Sequence, residues 1–314
     1  MNKKIFSLIG VIVLMTLIIS CAKKDSDSKT SSNSNDNSST ANELFVSVGE
    51  NGTIITSSNG ISWDPRTSGI SNGLYSVVYK NGLYLIGGLL TSNNGISWQS
   101  STLQDTGIWG ASYENGLFIL VGSNGKILTS IDGYSWNLRT SGTSNDLIGV
   151  TYGKGSYVIT GFSGLILTSS DGETWTNRTS GTSASLKKVT FGNNIFVTVG
   201  DSGTILTSSD GISWNSRTSG TSNNLYGVTF GNDVFVVVGG QGSGSGTILT
   251  SNDGISWNLI KSSESNNFHR VTYGNELFVT VGHSGKILTS TDGISWTSRT
   301  SGTTQNLWGV IYSE

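Results

Sequence analysis

The alternation of apolar and polar stretches along residues 43–314 predicts short β-strands joined by tight turns. The stretch Val234–Gly239 is almost continuously apolar, which is typical of a strand buried on both faces. A mixed stretch, Leu225–Phe230, precedes it, and a shorter apolar run and then a polar stretch beginning at a Trp follow. The same succession recurs along the chain without a long amphipathic helical stretch. We therefore expect an all-β fold with four strands in each unit.

Each unit is marked by a seven-residue sequence, of which Ser208–Trp214 (Ser-Ser-Asp-Gly-Ile-Ser-Trp) is one copy. The seven copies end at Trp63, Trp98, Trp136, Trp175, Trp214, Trp257 and Trp296. Successive tryptophans are 35, 38, 39, 39, 43 and 39 residues apart. A period this regular indicates a fold built by stacking one unit.

The seven-residue sequence has the chemistry of a hairpin turn. An Asp or Asn side chain accepts hydrogen bonds from backbone N–H groups two residues on, and the Gly that follows tolerates positive φ. The Trp then lies on the returning strand, where it covers the hairpin while its N–H finds a partner. The acidic position is Asp132, Asp171, Asp210, Asp253 and Asp292 in five copies, and Asn59 and Asn94 in the other two. Because both side chains can make the turn bond, we predict a structural role rather than a catalytic one.

Four short antiparallel strands in each of seven units predict a seven-bladed β-propeller over residues 43–314. The region opens at Glu43–Phe45, which has the pattern of a second strand, and closes at Leu307–Tyr312, which has that of a first strand. Together the two ends supply one complete blade. Pairing the C-terminal strand with the N-terminal blade would leave no sheet edge open.

The pattern Ser-x-Asp-Gly-x-Ser-Trp at a hairpin between third and fourth strands resembles the Asp-box, or bacterial neuraminidase (BNR), repeat. That repeat occurs in sialidases, some xyloglucanases, sortilin-type receptors and a seven-bladed photosystem II assembly factor. The resemblance covers residues 43–314 and implies the propeller, but no single activity, because these proteins share little besides the blade. One departure is that Asp210 and Trp214 are four residues apart rather than five.

The first 42 residues are predicted to lie outside the propeller. Lys3 and Lys4 precede an apolar run that ends before Cys21, the one cysteine of the chain, and this arrangement resembles the lipobox of bacterial lipoproteins. The resemblance implies that residues 1–21 are a signal peptide, cleaved before a diacylated Cys21. An ordinary signal anchor with an incidental cysteine is the alternative. Residues 22–42 are rich in Ser, Asn and Asp and predict a disordered tether. Since Ala22 is not acidic, the resemblance favours lipid anchoring in the outer membrane of a bacterial cell envelope.

Charge argues against several kinds of partner. Without Lys3 and Lys4 the chain has 16 basic and 20 acidic residues, so a basic face for nucleic acid is not expected. The only histidines, His269 and His283, have no cluster of metal ligands around them in the sequence. We expect a monomer without a metal or a cofactor, attached to the membrane by its lipid.

Candidate catalytic groups do not form a convincing constellation. A sialidase-like mechanism would need converging arginines, but five of the six occupy the same repeat position and would lie on a circle: Arg66, Arg139, Arg178, Arg217 and Arg299. A pair of carboxylates, as in glycoside hydrolases, stays open as an alternative among Glu50, Asp105, Glu114, Asp146, Glu173, Asp201, Asp233, Glu264 and Glu276. The abundant serines leave a Ser–His–Asp arrangement open, although no nucleophile-elbow motif is present.

The second residue of each first strand differs from blade to blade. We call the set Tyr75, Trp109, Ile148, Lys187, Tyr226, His269 and Trp308 the variable ring. First strands line the central channel of a propeller, so these side chains should surround its mouth. Aromatic residues dominate interaction hot spots, and we predict a ligand site formed by Tyr75, Trp109, Lys187, Tyr226, His269 and Trp308. The alternative is that they only fill the channel. The predicted function is non-enzymatic binding or scaffolding of a protein or glycan, with a glycoside hydrolase as the alternative.

Overall fold

The computed structural model describes residues 43–241, 246–261 and 267–314. The predicted signal peptide, the lipidated Cys21 and the tether lie outside the described residues. Within those three ranges, no helix is long and apolar enough to cross a membrane.

The described strands form seven four-stranded antiparallel sheets, each of them one blade of a propeller. Blade 1 contains β1 (Phe45–Gly49), β2 (Ile54–Ser57), β3 (Asp64–Arg66) and β28 (Leu307–Tyr312). Blade 2 contains β4 (Val77–Lys80), β5 (Leu83–Ile86), β6 (Leu90–Ser92) and β7 (Gln99–Ser100). Blade 3 contains β8 (Ile108–Glu114), β9 (Leu117–Gly122), β10 (Ile127–Ser130) and β11 (Asn137–Arg139).

The remaining blades repeat this order. Blade 4 contains β12 (Leu147–Gly153), β13 (Ser156–Gly161), β14 (Ile166–Ser169) and β15 (Thr176–Arg178). Blade 5 contains β16 (Leu186–Gly192), β17 (Ile195–Gly200), β18 (Ile205–Ser208) and β19 (Asn215–Arg217). Blade 6 contains β20 (Asn224–Gly231), β21 (Val234–Gly240), β22 (Thr247–Ser251) and β23 (Asn258–Lys261). Blade 7 contains β24 (Phe268–Gly274), β25 (Leu277–Gly282), β26 (Ile287–Ser290) and β27 (Thr297–Arg299).

The ring closes in blade 1, as the ends of the sequence predict. Strand β28 pairs antiparallel with β1, so that Phe45 lies opposite Tyr312 and Ser47 opposite Val310. Order across this sheet is β28, β1, β2, β3, with the C-terminal strand innermost. The predicted fold class, a closed seven-bladed propeller of four-stranded blades, is confirmed.

The second strand of each blade is buried on both faces because neighbouring blades cover it from either side. In blade 6, Phe235 and Val237 pack in a cluster with blade 5, whereas Val236 and Val238 pack in a cluster with blade 7. These alternate residues are all 0% exposed. Adjacent blades therefore share one apolar cluster each, including blades 7 and 1 across the closure. Burial of this kind is the dominant stabilising contribution to folding.

Short single turns of 3-10 helix join the second and third strands in five blades: Glu50–Gly52, Ser123–Gly125, Phe162–Gly164, Asp201–Gly203 and His283–Gly285. Blade 2 has no such turn, and its short period of 35 residues reflects the missing segment. The pairing of β4 with β5 ends at Val77 and Ile86. The first strand of blade 2 therefore begins at Val77, and Tyr75, predicted to be its second residue, precedes the strand.

The hairpin that follows each third strand has the predicted turn bonds. In blade 5, the backbone N–H groups of Ile212 and Ser213 donate to Asp210 Oδ1 at 2.8 and 2.9 Å. The N–H of Gly211 donates to Ser208 Oγ at 2.8 Å. Trp214 Nε1 donates to Gly211 O at 3.0 Å, closing the hairpin.

Asn59 and Asn94 accept the same pair of backbone bonds as the aspartates, so the exchange of Asp for Asn leaves the turn intact. Among the described residues, Nε1 of Trp136 and Trp175 has no partner, and there the predicted bond is wrong. The backbone N–H groups and the box serine lower the pKa of Asp132 to about 2. The Asp-box sequence therefore stabilises its hairpin turn through local hydrogen bonds.

The five repeat arginines lie on the outermost strands, as their spacing predicts. In blade 5, Arg217 Nε donates to Thr207 Oγ1 of the neighbouring third strand at 2.8 Å. The other four make the same bond with their own threonines: Arg66–Thr56, Arg139–Thr129, Arg178–Thr168 and Arg299–Thr289. Each arginine thus ties a fourth strand to its blade, and the five do not converge on one point.

Candidate functional site

The two faces of the disc follow from the strand directions. In an antiparallel blade, the hairpin between the first and second strands and the box hairpin project from the same face. Asn193 in one of the former donates its side-chain N–H to Asn252 O beside the box of the next blade, at 3.1 Å. We call this side the box face. The connections between blades and the turns between second and third strands, such as Phe162–Gly164, form the opposite turn face.

A β-bulge lies at the second residue of the first strand. In blade 5, Leu186 is opposite Gly200 and Lys188 is opposite Val199, so Lys187 has no partner in the ladder. The same register shift occurs in the first strands of blades 1, 3, 4, 6 and 7. A bulge leaves one residue unpaired and redirects its side chain. Six of the seven residues of the variable ring are therefore bulge residues, freed from pairing in the sheet.

All seven residues of the variable ring line one cavity of about 220 Å³ at the turn-face end of the channel, which we call the upper cavity. Each of them is partly exposed, whereas the residue before it in the strand is buried. The structure therefore brings together every residue of the predicted ligand site. Whether these residues bind a ligand stays a prediction.

One side of the upper cavity is an aromatic wall contributed by blades 1, 2 and 3. The rings of Tyr75 and Trp308 are stacked, with centroids 4.6 Å apart and planes inclined by 6°. Trp109 packs against the other side of Tyr75 at 4.7 Å. Such ring pairs add about 0.5–1.5 kcal/mol each beyond their buried area. The wall is preformed and requires no ligand to assemble it.

The opposite side is polar and comes from blades 5, 6 and 7. Lys187 Nζ lies 3.2 Å from Asp201 Oδ2 and 4.7 Å from the centre of the Phe162 ring. The ring of His269 packs between Tyr226 and His283, at centroid distances of 5.3 and 4.7 Å. The cavity is thus asymmetric, with stacked apolar rings facing cationic and imidazole groups.

Two buried polar atoms in this cavity have no hydrogen-bond partner among the described residues: Trp109 Nε1 and His269 Nε2. Burial lowers the pKa of His269 to about 3, and the neighbouring His283 and Arg270 add to the decrease. The imidazole is therefore neutral at physiological pH. Buried polar groups in folded proteins are nearly always paired, so these two unpaired atoms are exceptions among the residues of the cavity.

The structure adds three residues to the upper cavity that the sequence analysis did not assign to it: Asp146, Phe162 and Arg270. A signal for Phe162 exists in the repeat, because Glu50, Ser123, Asp201 and His283 are the polar residues at its position in other blades. Asp146, which directly precedes β12 of blade 4, accepts a hydrogen bond from the backbone N–H of Asn124 in blade 3 at 2.9 Å. A turn carboxylate can therefore border the channel while it still holds two blades together.

The carboxylate pair on which a glycoside hydrolase depends is not found among the described residues of either channel cavity. Asp146 is the one carboxylate that lines the upper cavity, and Glu114 the one that lines the cavity beneath it. Asp105 and Glu173 are occupied by Lys126 and Arg139, at 2.6 and 2.8 Å. Nor does any group of three or more metal-ligating side chains occur in the described part of the chain.

Comparison with solved structures identifies the architecture. The structure described as YCF48 bound to D1 peptide superposes with a TM-score of 0.63, at 18% sequence identity, over 79% of this chain and 88% of that one. YCF48 from Cyanidioschyzon merolae gives a TM-score of 0.61, at 17% identity, over 80% and 96% of the two chains.

This chain has the propeller fold of YCF48. The computationally designed Ika8 protein, at 12% identity, reaches a TM-score of 0.59 over 85% of this chain and 96% of its own. No protein-family model and no curated protein matches the sequence. A likeness at these identities concerns the fold alone, and function has to be argued from the channel.

Proposed function

We propose that this chain is a lipid-anchored protein of the bacterial cell envelope that binds a segment of another protein in the upper cavity. The role is one of binding or scaffolding rather than catalysis. Support for the anchor comes from the sequence around Cys21, where an apolar run ends at a single cysteine followed by a polar stretch. Support for a peptide ligand comes from the like-folded YCF48, whose structure has been determined with a D1 peptide bound.

The observation that carries the proposal is the convergence of the variable ring on one cavity. In the box hairpins the blades use the same residue types to make the same turn bonds, whereas the residue of the variable ring differs among blades, and in six of them the bulge releases it from the ladder. The result is the stacked Trp109–Tyr75–Trp308 wall facing Lys187 and His269. Because equivalent positions hold different residue types, packing of the blade does not require a particular side chain at this position.

The size of the cavity restricts what enters it. About 220 Å³ is below the roughly 300–1,000 Å³ of ordinary small-molecule pockets, so the cavity accepts one or two side chains of an extended segment. An apolar or aromatic side chain would stack on Tyr75 and Trp308. A main-chain carbonyl or a polar side chain of the same segment would meet Trp109 Nε1 and His269 Nε2. We expect the remaining contacts to spread over the turn face around the cavity.

The proposal is tested with the full-length chain, purified in nonionic detergent, and the double variant Trp109→Ala/Trp308→Ala. Both are used to capture partners from envelope extracts and from a glycan array. A protein held by the wild type and lost with the double variant is the expected result, because the variant removes two of the three rings of the wall. Hot-spot aromatics of this kind each contribute about 2 kcal/mol or more to binding.

A matched control removes apolar surface far from the channel. Ile131 and Leu138 are 80% and 73% exposed on blade 3, and Ile131→Ala/Leu138→Ala should leave the capture unchanged. Equal capture by the wild type and the tryptophan variant would contradict the proposed site. Retention of glycans in place of proteins would keep the site but change the ligand class.

A further inference from the structure

The third residue of the first strand separates two blades from the other five. It is glycine in four blades and serine in one: Gly110, Gly149, Gly227, Gly309 and Ser76. In blades 5 and 7 it is instead Lys188 and Arg270, the two longest cationic side chains available. Because the neighbours of both blades carry glycine, the repeat does not require a side chain at this position.

Glycine prevails here because adjacent first strands approach closely near the channel axis. A Cβ atom built on Gly110 would lie 2.2 Å from Ile148 O of the next blade. The bulge directs the third residue, like the second, toward the channel, so that Lys188 and Arg270 both line a cavity of about 220 Å³ below the variable ring. We call this the lower cavity. Blade 6 lies between the two blades with the cations, and because Gly227 has no side chain, it leaves space there.

Neither cation has a carboxylate within ion-pair distance in the described part of the chain, and Glu114 acts on Lys188 only from farther away. No ion pair within 4.0 Å and no hydrogen bond of Lys188 Nζ is found among the described residues, although Glu114 lines the same cavity. Arg270 Nη1 donates to Tyr226 O and His269 O at 2.6 and 2.9 Å, and these neutral bonds hold its guanidinium in place. An unpaired charge in an enclosed site is costly, and two that repel each other are more so.

The proximity of Arg270 also affects the pKa of Lys188. Burial and, to a smaller extent, the positive charge of Arg270 lower the pKa of Lys188 to about 8, while the charge of Glu114 acts in the opposite direction. The ammonium is still mostly protonated at neutral pH. A bound anion would raise this pKa by favouring the charged form.

Hydroxyl groups complete the surroundings. The fifth residue of the first strand is Ser or Thr in blades 3 to 7, and all five line the lower cavity: Ser112, Thr151, Thr190, Thr229 and Thr272. Their hydroxyls have no hydrogen bond to another side chain or backbone group in the described part of the chain. A ring of O–H donors below two ammonium-type groups matches the requirements of an anion with several acceptor oxygens.

We propose that the lower cavity is a binding site for a small oxyanion, a carboxylate or a phosphate, held between Lys188 and Arg270 with the channel hydroxyls as further donors. The guanidinium presents a planar fork to two oxygens, whereas the flexible ammonium adapts to a third. The lower cavity shares Arg270 and the ring residues Tyr75, Trp109 and Ile148 with the upper cavity. Lys188 and the five hydroxyl residues line the lower cavity alone, so the oxyanion site does not require a protein segment to bind in the upper cavity.

Calorimetric titration of the full-length chain in detergent with sodium phosphate, and separately with sodium acetate, tests this site. The variants Lys188→Gly and Arg270→Gly install the residue that four other blades have, so they are compatible with the blade. We expect the affinity for the preferred anion to fall about tenfold or more for each cation removed. The anion should also raise the melting temperature of the wild type but not that of the double variant.

Two further variants keep the test decisive. Lys188→Met retains the aliphatic stem and should lose binding as Lys188→Gly does. Lys154→Met removes the same charge from an exposed hairpin outside both cavities and should leave the titration unchanged. A heat from acetate alone would identify a carboxylate site, and one from phosphate alone a phosphate site. No binding of either anion, or equal affinity in the double variant, would overturn the proposal.

Discussion

The box hairpin and the variable ring are both present in all seven blades, yet they obey opposite rules. At the box, the same acceptor oxygen binds the same two backbone N–H groups in every copy, whether the residue is Asp210 or Asn59. In the variable ring, a tryptophan, a lysine and a histidine occupy equivalent positions. The turn bonds of the box lie inside one blade, whereas ring residues such as Tyr75 and Trp308 pack against those of neighbouring blades.

The box residues stabilise the propeller, whereas the residues of the variable ring distinguish one blade from another. A position that has to satisfy backbone groups in its own turn is constrained equally in each copy. A bulge residue has no ladder partner, so its side chain is free to differ. Blade 1 offers a direct comparison, because it contains a tryptophan of each kind, Trp63 in the box and Trp308 in the ring.

The largest expected loss of stability comes from a substitution in the box of blade 1. Trp63 is 8% exposed, packs beside Phe45 and donates Nε1 to Gly60 O at 3.1 Å. We expect Trp63→Ala to lower the free energy of unfolding by about 3–5 kcal/mol. Trp308→Ala should cost less than this, because the partly exposed Trp308 loses about 0.5–1.5 kcal/mol of stacking on Tyr75 and less burial than Trp63. Urea denaturation followed by circular dichroism measures both. Equal losses would erase the distinction between the two positions.

The second effect is acid sensitivity, and the two regions should differ in its pH range. His269 has a folded-state pKa of about 3 against an ordinary value of 6.5, because burial disfavours the imidazolium. Between pH 6.5 and 3 the imidazole is therefore protonated in the unfolded chain but not in the folded one. The free energy of unfolding falls as the pH decreases through this range. The box carboxylates, for example Asp132 with a pKa lowered from 3.8 to about 2, act over a lower range. Their contribution is complete above pH 4 or so and is lost toward pH 2.

The variant His269→Gln separates these ranges. We expect its stability to decline less than that of the wild type from pH 6.5 down to about 3, and to decline in parallel with the wild type below that range. Urea midpoints at half-unit steps of pH supply the comparison. Parallel curves over the whole range would show that the buried imidazole does not contribute.

The smallest effect is expected from exchanging Asp for Asn inside a box. Asp210→Asn keeps an acceptor oxygen for Ile212 N–H and Ser213 N–H, as Asn94 does in blade 2, and should change stability by less than about 0.5 kcal/mol at neutral pH. Asp210→Ala removes the acceptor from both groups and should cost about 1 kcal/mol. If the Asn variant were as unstable as the Ala variant, the negative charge itself would have a role.

Much of the fold could be predicted because the information is local and repeated. Seven copies of a turn sequence set the number of blades, and Glu43–Phe45 and Leu307–Tyr312 complete one another as parts of blade 1. The arginines could be excluded from a common site by arithmetic alone, since equivalent positions in a ring lie on a circle. The second-strand pattern of Phe235–Val238 likewise predicts burial on both faces, because an unbroken apolar run has no side suited to water.

The channel was predictable only in part. The variable ring could be found by comparing copies of the repeat, and Lys188 and Arg270 stand out in the same comparison once the third position is included. Their position in the channel could not be deduced from the sequence, because in a regular strand the second and third residues point to opposite faces. The bulge cancels that alternation and directs Lys187 and Lys188 into two different cavities of one channel.

The sequence by itself therefore determined the number of blades, the closure of the ring and the chemistry of the box. Each of these depends on contacts within a few residues or on a period along the chain. Only the tertiary structure decided that Tyr75 and Trp308 stack, that the buried Nε2 of His269 has no partner among the described residues, and that Lys188 lies near Arg270. Those relations join blades that are distant in sequence, and they depend on side-chain directions that a bulge sets.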